Sequence, residues 1–221
     1  MSPKIIYKVP LRAIFKEYGE LIYWRIRKLQ EKKLGNDHYA YFYTENFDLT
    51  PDFYRGKNIL DLGCGPRGSL EWADMTESRI GLDPLAEDYL KLGAHAHKMT
   101  YIKGYGENMP FDKEQFDLVC SFNNLDHVNN LKQTCIEIDR VLKPGGLFLL
   151  IVDIHAKPTT TEPQTLAWNL ISVYFPQYKI LEEKHLERSV KNKIYTNSRK
   201  SKPVSNEKIQ SGVLKVKLQK V

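Results

Sequence analysis

The stretch from Asn58 to Gly68, NILDLGCGPRG, decides how the rest of this chain is read. Its first half is an apolar, strand-forming run that carries one acid, Asp61. Its second half breaks into glycine at positions 63, 65 and 68. Glycine lacks a Cβ and enters positive φ freely, so the backbone can turn sharply at the end of a strand and press against a ligand. A buried strand, a glycine turn and a following helix form the first unit of a nucleotide-type α/β fold, and the spacing satisfies GxGxxG. The ligand expected there contains adenosine, either a nicotinamide or flavin dinucleotide or S-adenosyl-L-methionine.

Outward from this turn the chain alternates between two periodicities. Strand-like runs occupy 59–62, 80–82, 101–103, 118–122 and 147–152. Helical candidates occupy 68–74, 85–94, 129–142 and 164–174. Such alternation implies a parallel sheet covered on both faces. Lys143-Pro144-Gly145-Gly146 stops the helix of 129–142 and turns the chain into the next strand. Two further strands are expected at 178–183 and 213–218, with the polar stretch 185–211 read as a loop or hairpin. The fold class is therefore α/β: a Rossmann-like, doubly wound, mostly parallel sheet of seven strands with helices on both faces.

Ahead of this domain, Leu11, Ile14, Phe15, Tyr18, Leu21, Ile22, Ile26 and Leu29 recur at three- and four-residue steps, which predicts an amphipathic helix over 11–34 ended by Gly35. Lys16, Glu20, Arg27 and Glu31 fall on its other face. Charges of both signs favour a helix laid across the domain over one lying on a membrane surface. The aromatic run HYAYFYTENF, 38–47, reads as a core plug that could also serve as a lid. Residues 1–56 are thus expected to form a helical cap and residues 57–221 the ligand-binding domain, with basic strands from about 178.

Composition narrows the function classes. The chain has 221 residues, 42% of them hydrophobic and 27% charged, which suits one soluble α/β domain with modest additions. Cys64, Cys120 and Cys135 form no CxxC pair, so neither a structural zinc nor any other metal is expected, and a reducing, cytoplasmic setting is. No apolar run reaches the roughly 20 residues of a membrane span. The formal charge of +6 is uneven: +6 over 1–34, −9 over 35–183 and +9 over 184–221. A basic tail could steer an anionic partner, but a lysine-rich solvated edge accounts for it equally simply.

Charge also separates the candidate ligands. Asp83 stands twenty residues beyond Gly63, after the second strand, where a carboxylate can accept hydrogen bonds from a ribose diol of either ligand. Asp61, two residues ahead of the first glycine, would repel a pyrophosphate and attract an ammonium or sulfonium. Pro66 and Arg67 fill the space between the second and third glycines. S-adenosyl-L-methionine is therefore favoured.

The segments NILDLGCGPRG, RIGLDP, YGENMPFDKEQFDLVCSFNNLDHV and EIDRVLKPGGLFLLIV, in this order over 58–152, resemble the class I S-adenosylmethionine-dependent methyltransferases of the small, single-domain kind. The resemblance implies that the glycine turn underlies the methionine moiety, the acid after the second strand holds the ribose, the loop after the third strand lines the adenine, and residues after the fourth strand close the methionine side. It assigns Gly63, Cys64, Gly65, Asp83, Gly106, Glu107, Asn123 and Leu125 to the cofactor, to which the charge argument adds Asp61. Two positions depart from the family. Arg67 stands where a small residue is usual and could either meet a carboxylate of cofactor or substrate or face solvent. Tyr105 stands where an acid is usual and could stack on the adenine.

A sulfonium is already an activated leaving group, so the protein has chiefly to align acceptor, methyl and sulfur. A hydroxyl acceptor also needs a base, and His127 and His155 follow the fourth and fifth strands, although His127 could equally be a packing or hydrogen-bonding residue at a helix start. Thr160 and Glu162 beside His155 suit a polyhydroxylated acceptor such as a sugar; Thr161 alternatively caps a helix at Glu162-Pro163. The expected partner is a small-molecule acceptor. Less favoured are a nucleic-acid or protein methyltransferase docking through the basic tail, a non-catalytic cofactor-binding or interaction protein, and an NAD-dependent enzyme. Oligomeric state and acceptor atom are not encoded in these motifs.

Overall fold

A computed structural model describes residues 11–155, 157–159, 162–188, 194–205 and 211–221. Seven strands form one sheet: β1 (Asn58–Leu62), β2 (Ser78–Asp83), β3 (Thr100–Lys103), β4 (Phe116–Phe122), β5 (Leu142–Ile154), β6 (Lys179–Leu186) and β7 (Gly212–Gln219). Their order is β3-β2-β1-β4-β5-β7-β6. The first five run parallel, while β7 pairs antiparallel with both β5 and β6. The order reverses between β1 and β4, and in open α/β sheets a ligand crevice forms outside the carboxyl ends at such a point.

Side chains alternate across the sheet and build a core on each face. On one side Leu60, Val119, Phe148, Leu150 and Val152 pack with Leu131 and Ile138 of α4 (Leu131–Val141) and Leu170 of α5 (Leu170–Tyr174). On the other, Ile59, Leu118, Leu149 and Ile151 pack against Tyr39, Phe42 and Tyr43 of α2 (Tyr39–Tyr43), Phe47, Tyr54 and Ile194 of α6 (Ile194–Lys200). The aromatic run thus enters the core, with Tyr43 and Phe47 fully buried, as is Tyr54 beyond it. Cys64, Cys120 and Cys135 are free and buried.

Three helical expectations need correction. Residues 68–74 make successive tight turns, with Glu71 N–H on Gly68 O and Ala73 N–H on Leu70 O, because Pro66 and the positive φ of Gly68 set a path no helix follows. The segment 162–169 is not helical, since Gln164 spends its backbone N–H on Asp126 O and its side chain on the carbonyls of Val128 and Asn129; only α5 remains of the expected helix. The polar stretch 185–211 holds α6, seated by buried Ile194 and Asn197.

The largest correction concerns α1 (Leu11–Glu31). It does lie across the domain, but its faces are inverted: Leu11, Phe15, Tyr18 and Leu29 are 64 to 82% exposed, while Lys16, Glu20 and Glu31 turn inward. No helix among the described residues is long and apolar enough to cross a membrane.

Candidate functional site

A cavity of about 790 Å3 opens at the carboxyl ends of β1, β2 and β4, beneath α1. Its floor is the glycine turn. Gly63 leaves β1 with φ +76°, and a Cβ there would fall on the side chain of Asn124; Gly65 follows at φ +59°. Behind the turn, a Cβ on Gly81 of β2 would come within 2.5 Å of Cys64 Sγ. The turn is therefore wedged between β2 and the loop after β4, and only glycine fits.

Asp83 ties this floor to its surroundings. Its carboxylate accepts the Gly65 N–H at 3.2 Å and the Leu85 N–H at 2.9 Å, and it lines the cavity while only 6% exposed. Burial, and then the charge of Glu20 on α1, raise its pKa well above the usual carboxylate range. The glycine turn and the start of α3 (Ala86–Lys91) thus fix the acid at the cavity wall.

Cys64, Gly106, Glu107 and Asn123 also line the cavity. Glu107 has a scaffolding role as well: one of its oxygens accepts the N–H groups of Asn129 at 2.6 Å and Asn130 at 2.9 Å, at the start of α4. Asn123 holds a left-handed backbone, φ 55°, which asparagine tolerates. Leu125 is fully buried in the core rather than on the wall. Asp61 lies beneath the turn, off the cavity surface, where its carboxylate accepts Tyr43 OH at 2.9 Å and Ser69 OH. Burial raises its pKa to about 6, against those two bonds.

Arg67 does not reach the cavity. Its guanidinium pairs with Glu31 at 2.8 Å, donates to Gly35 O at 3.1 Å and covers the Trp24 ring at 5.4 Å. The departure from a small residue therefore serves to tie α1 to the glycine turn. Tyr105 likewise points its hydroxyl to Glu17 of α1, 2.8 Å away.

The two histidines separate. His127 lines the cavity; His155 stands behind it, with Nδ1 on Lys157 O at 2.9 Å. Between them sits Asp126, 3.8 Å from each Nε2 and fully buried. The Asp126 carboxylate raises the His155 imidazole above its ordinary pKa, against the effect of burial. Glu162 completes the group from the cavity wall, with its Oε2 3.9 Å from His155 Nε2. Thr160 and Thr161, expected as substrate contact and helix cap, lie outside the described residues.

Several lining residues lie outside the quoted motifs: Lys16, Glu17, Glu20 and Trp24 from α1, and Tyr195 of α6; Asn124 lies within one but was not singled out. Lys16 donates to His127 O, and burial lowers its pKa despite Glu20, Asp126 and Asp83 nearby. The inward polar face of α1 was the only available signal for the first three. Three lysines of the basic tail are internally engaged: Lys215 with Glu182 at 2.9 Å, Lys217 with Phe47 O at 2.6 Å and Lys220 with Leu142 O at 3.0 Å.

In its fold the chain is similar to solved S-adenosylmethionine-dependent methyltransferases. Residues 60–150 match the family model described as a methyltransferase domain. An uncharacterized methyltransferase of Synechocystis is 31% identical over 124 residues, 55% of this chain and 56% of that protein. The chain therefore spans little more than half the length of this curated relative. Among solved structures, a chain from the Haloferax volcanii complex with the Trm112 methyltransferase activator aligns with TM-score 0.63 at 15% identity, covering 96% of this chain and 99% of that one. An S-adenosylmethionine-dependent methyltransferase of Mesorhizobium loti aligns with TM-score 0.54 at 18% identity, over 76% of this chain and 92% of that one. At such identities the structural likeness concerns the fold.

Proposed function

We propose that this chain binds S-adenosyl-L-methionine in the cavity beneath α1 and transfers its methyl group to a small-molecule acceptor, with a hydroxyl of a sugar or other polyhydroxylated metabolite as the acceptor class. The observation that carries the cofactor reading is the charge of the walls. Glu17, Glu20, Asp83, Glu107 and Glu162 line the cavity against a single lysine, Lys16. A pyrophosphate would meet that set with repulsion, whereas a sulfonium and an ammonium are attracted to it.

In this reading Asp83, held by the Gly65 and Leu85 amides, takes the ribose diol, and the Gly63–Gly65 turn carries the methionine moiety. The cofactor supplies an activated methyl group. The protein contributes alignment and the exclusion of water, and α1 with Trp24 and Tyr23 roofs the cavity for the latter task. The acceptor end lies at His127 and Glu162, where a hydroxyl proton can be lost. His155 acts behind this wall through Asp126. Residues 11–31 form the cap in this division of the chain. The engagement of Lys215 with Glu182, and of Lys217 and Lys220 with backbone carbonyls, withdraws three cations of the tail from a nucleic-acid docking surface.

Titration calorimetry with S-adenosylhomocysteine and, separately, NAD tests the reading. Binding of the first with a silent titration of the second is expected; silence with S-adenosylhomocysteine overturns it.

A further inference from the structure

The group formed by Asp126, His127, His155 and Glu162 is chemically incomplete. Asp126 is fully buried, yet neither of its carboxylate oxygens has a hydrogen-bond partner. The Nε2 atoms of His127 and His155 are also buried without one. The distances of 3.8 Å from Asp126 to each Nε2 are too long for hydrogen bonds. Stripping a carboxylate of water without returning a hydrogen-bond donor is strongly unfavourable, more so than for a neutral polar group. Four heteroatoms therefore converge on one space without closing on one another.

We propose that this space is a divalent transition-metal site, with Asp126, His127 and Glu162 as ligands and His155 at its rear corner. One donor atom from each of the three ligands lies within 4.8 Å of the others. A metal bound at about 2.0–2.2 Å sets its donors roughly 3 to 4.2 Å apart, so the observed spacing closes by side-chain adjustment alone. Mixed imidazole and carboxylate donors select zinc, manganese, iron or cobalt over magnesium and calcium, which prefer all-oxygen shells. The backbone is set for the task. Gln164 fixes the loop bearing Asp126 and His127 through Asp126 O and the carbonyls of Val128 and Asn129, and Thr159 donates its hydroxyl to Glu162 Oε2 at 3.2 Å.

Three protein ligands leave coordination positions open towards the cavity, which His127 and Glu162 both line. A hydroxyl acceptor bound there would lose its proton more readily, because the metal stabilises the resulting alkoxide. This last role rests on the methyl-transfer reading; binding of the metal does not.

The test uses the full chain, freed of metal by chelation and titrated with cobalt(II) and with zinc(II). One equivalent of cobalt is expected to produce visible d–d absorption, displaced by zinc. Asp126→Asn, nearly isosteric, and Glu162→Gln, on the cavity wall, should each weaken binding at least about tenfold, with circular dichroism unchanged. No saturable binding, or affinity unaltered in both folded variants, overturns the proposal. A parallel titration with S-adenosylhomocysteine separates the readings: metal binding without it overturns the methyl-transfer reading alone, and the converse overturns the metal site alone.

Discussion

Replacing Asp83 by Asn should separate ligand binding from stability, because the carboxylate contributes to the two with opposite sign. Its oxygens accept the Gly65 amide at 3.2 Å and the Leu85 amide at 2.9 Å in a nearly dry setting. The charge is costly there: burial, and secondarily Glu20, hold the folded-state pKa above its unfolded value. A raised folded pKa stabilises the fold at low pH, and that contribution is lost as pH climbs through the folded pKa. Asn cannot ionise, so the unfolding free energy of Asp83→Asn should gain on that of the wild type from acid towards neutral pH. Binding should move the other way. A hydrogen bond to a charged acceptor is worth about 2 kcal/mol, which is about thirtyfold in Kd. Calorimetry with S-adenosylhomocysteine at neutral pH and urea unfolding across the pH range measure both quantities. Unchanged affinity would remove Asp83 from the ribose site. A loss of affinity matched by an equal loss of stability would refute the division of labour.

Two further perturbations follow from the same floor. Gly63→Ala forces a positive φ on a residue with a Cβ and drives that Cβ into Asn124, for a combined cost of about 2–4 kcal/mol in unfolding free energy. Adding Asn124→Ala should return the steric part and leave the φ strain, so a strictly additive double mutant contradicts the wedge. For Asp61, raised by burial to about 6 from 3.8, the stabilising contribution is complete below pH 4 and is lost as pH rises through 6. Relative to Asp61→Asn the wild type should lose about 3 kcal/mol between pH 4 and 7 in chemical denaturation; a difference independent of pH would show that Tyr43 and Ser69 fully compensate the buried charge.

The sheet was legible because buried parallel strands read as apolar runs between turn signals, and β1, β2, β4 and β5 are such runs. Gly63, Gly65 and Asp83 were legible for a related reason: a required backbone shape and a required charge restrict the residue type. Helices fared worse. The spacing of Leu70 and Ala73, both fully buried, imitates a helical face although the chain reaches the core through separate turns. On α1 periodicity identified two faces but not which of them is inside. Arg67 looked like a ligand contact because a guanidinium suits any carboxylate. Its partner is Glu31, 36 residues away in sequence, and no local pattern could show that. Asp126 escaped notice because burial of its charge arises only when the loops after β4 and β5 meet.

The inverted helix has a thermodynamic consequence. Its attachments are polar: Arg67 to Glu31, Tyr105 to Glu17, Tyr89 to Glu20 at 3.2 Å and Lys28 to Leu92 O. Such contacts weaken with ionic strength. Since Phe15, Tyr18 and Leu29 already face outward, lifting α1 would wet a small apolar patch, Ala13, Leu21 and Trp24 of the helix with Leu85, Tyr89 and Ala94 beneath it. Heat capacity change tracks the apolar area newly exposed. Uncovering the cavity is therefore a motion with a small heat-capacity increment, governed more by salt than by temperature.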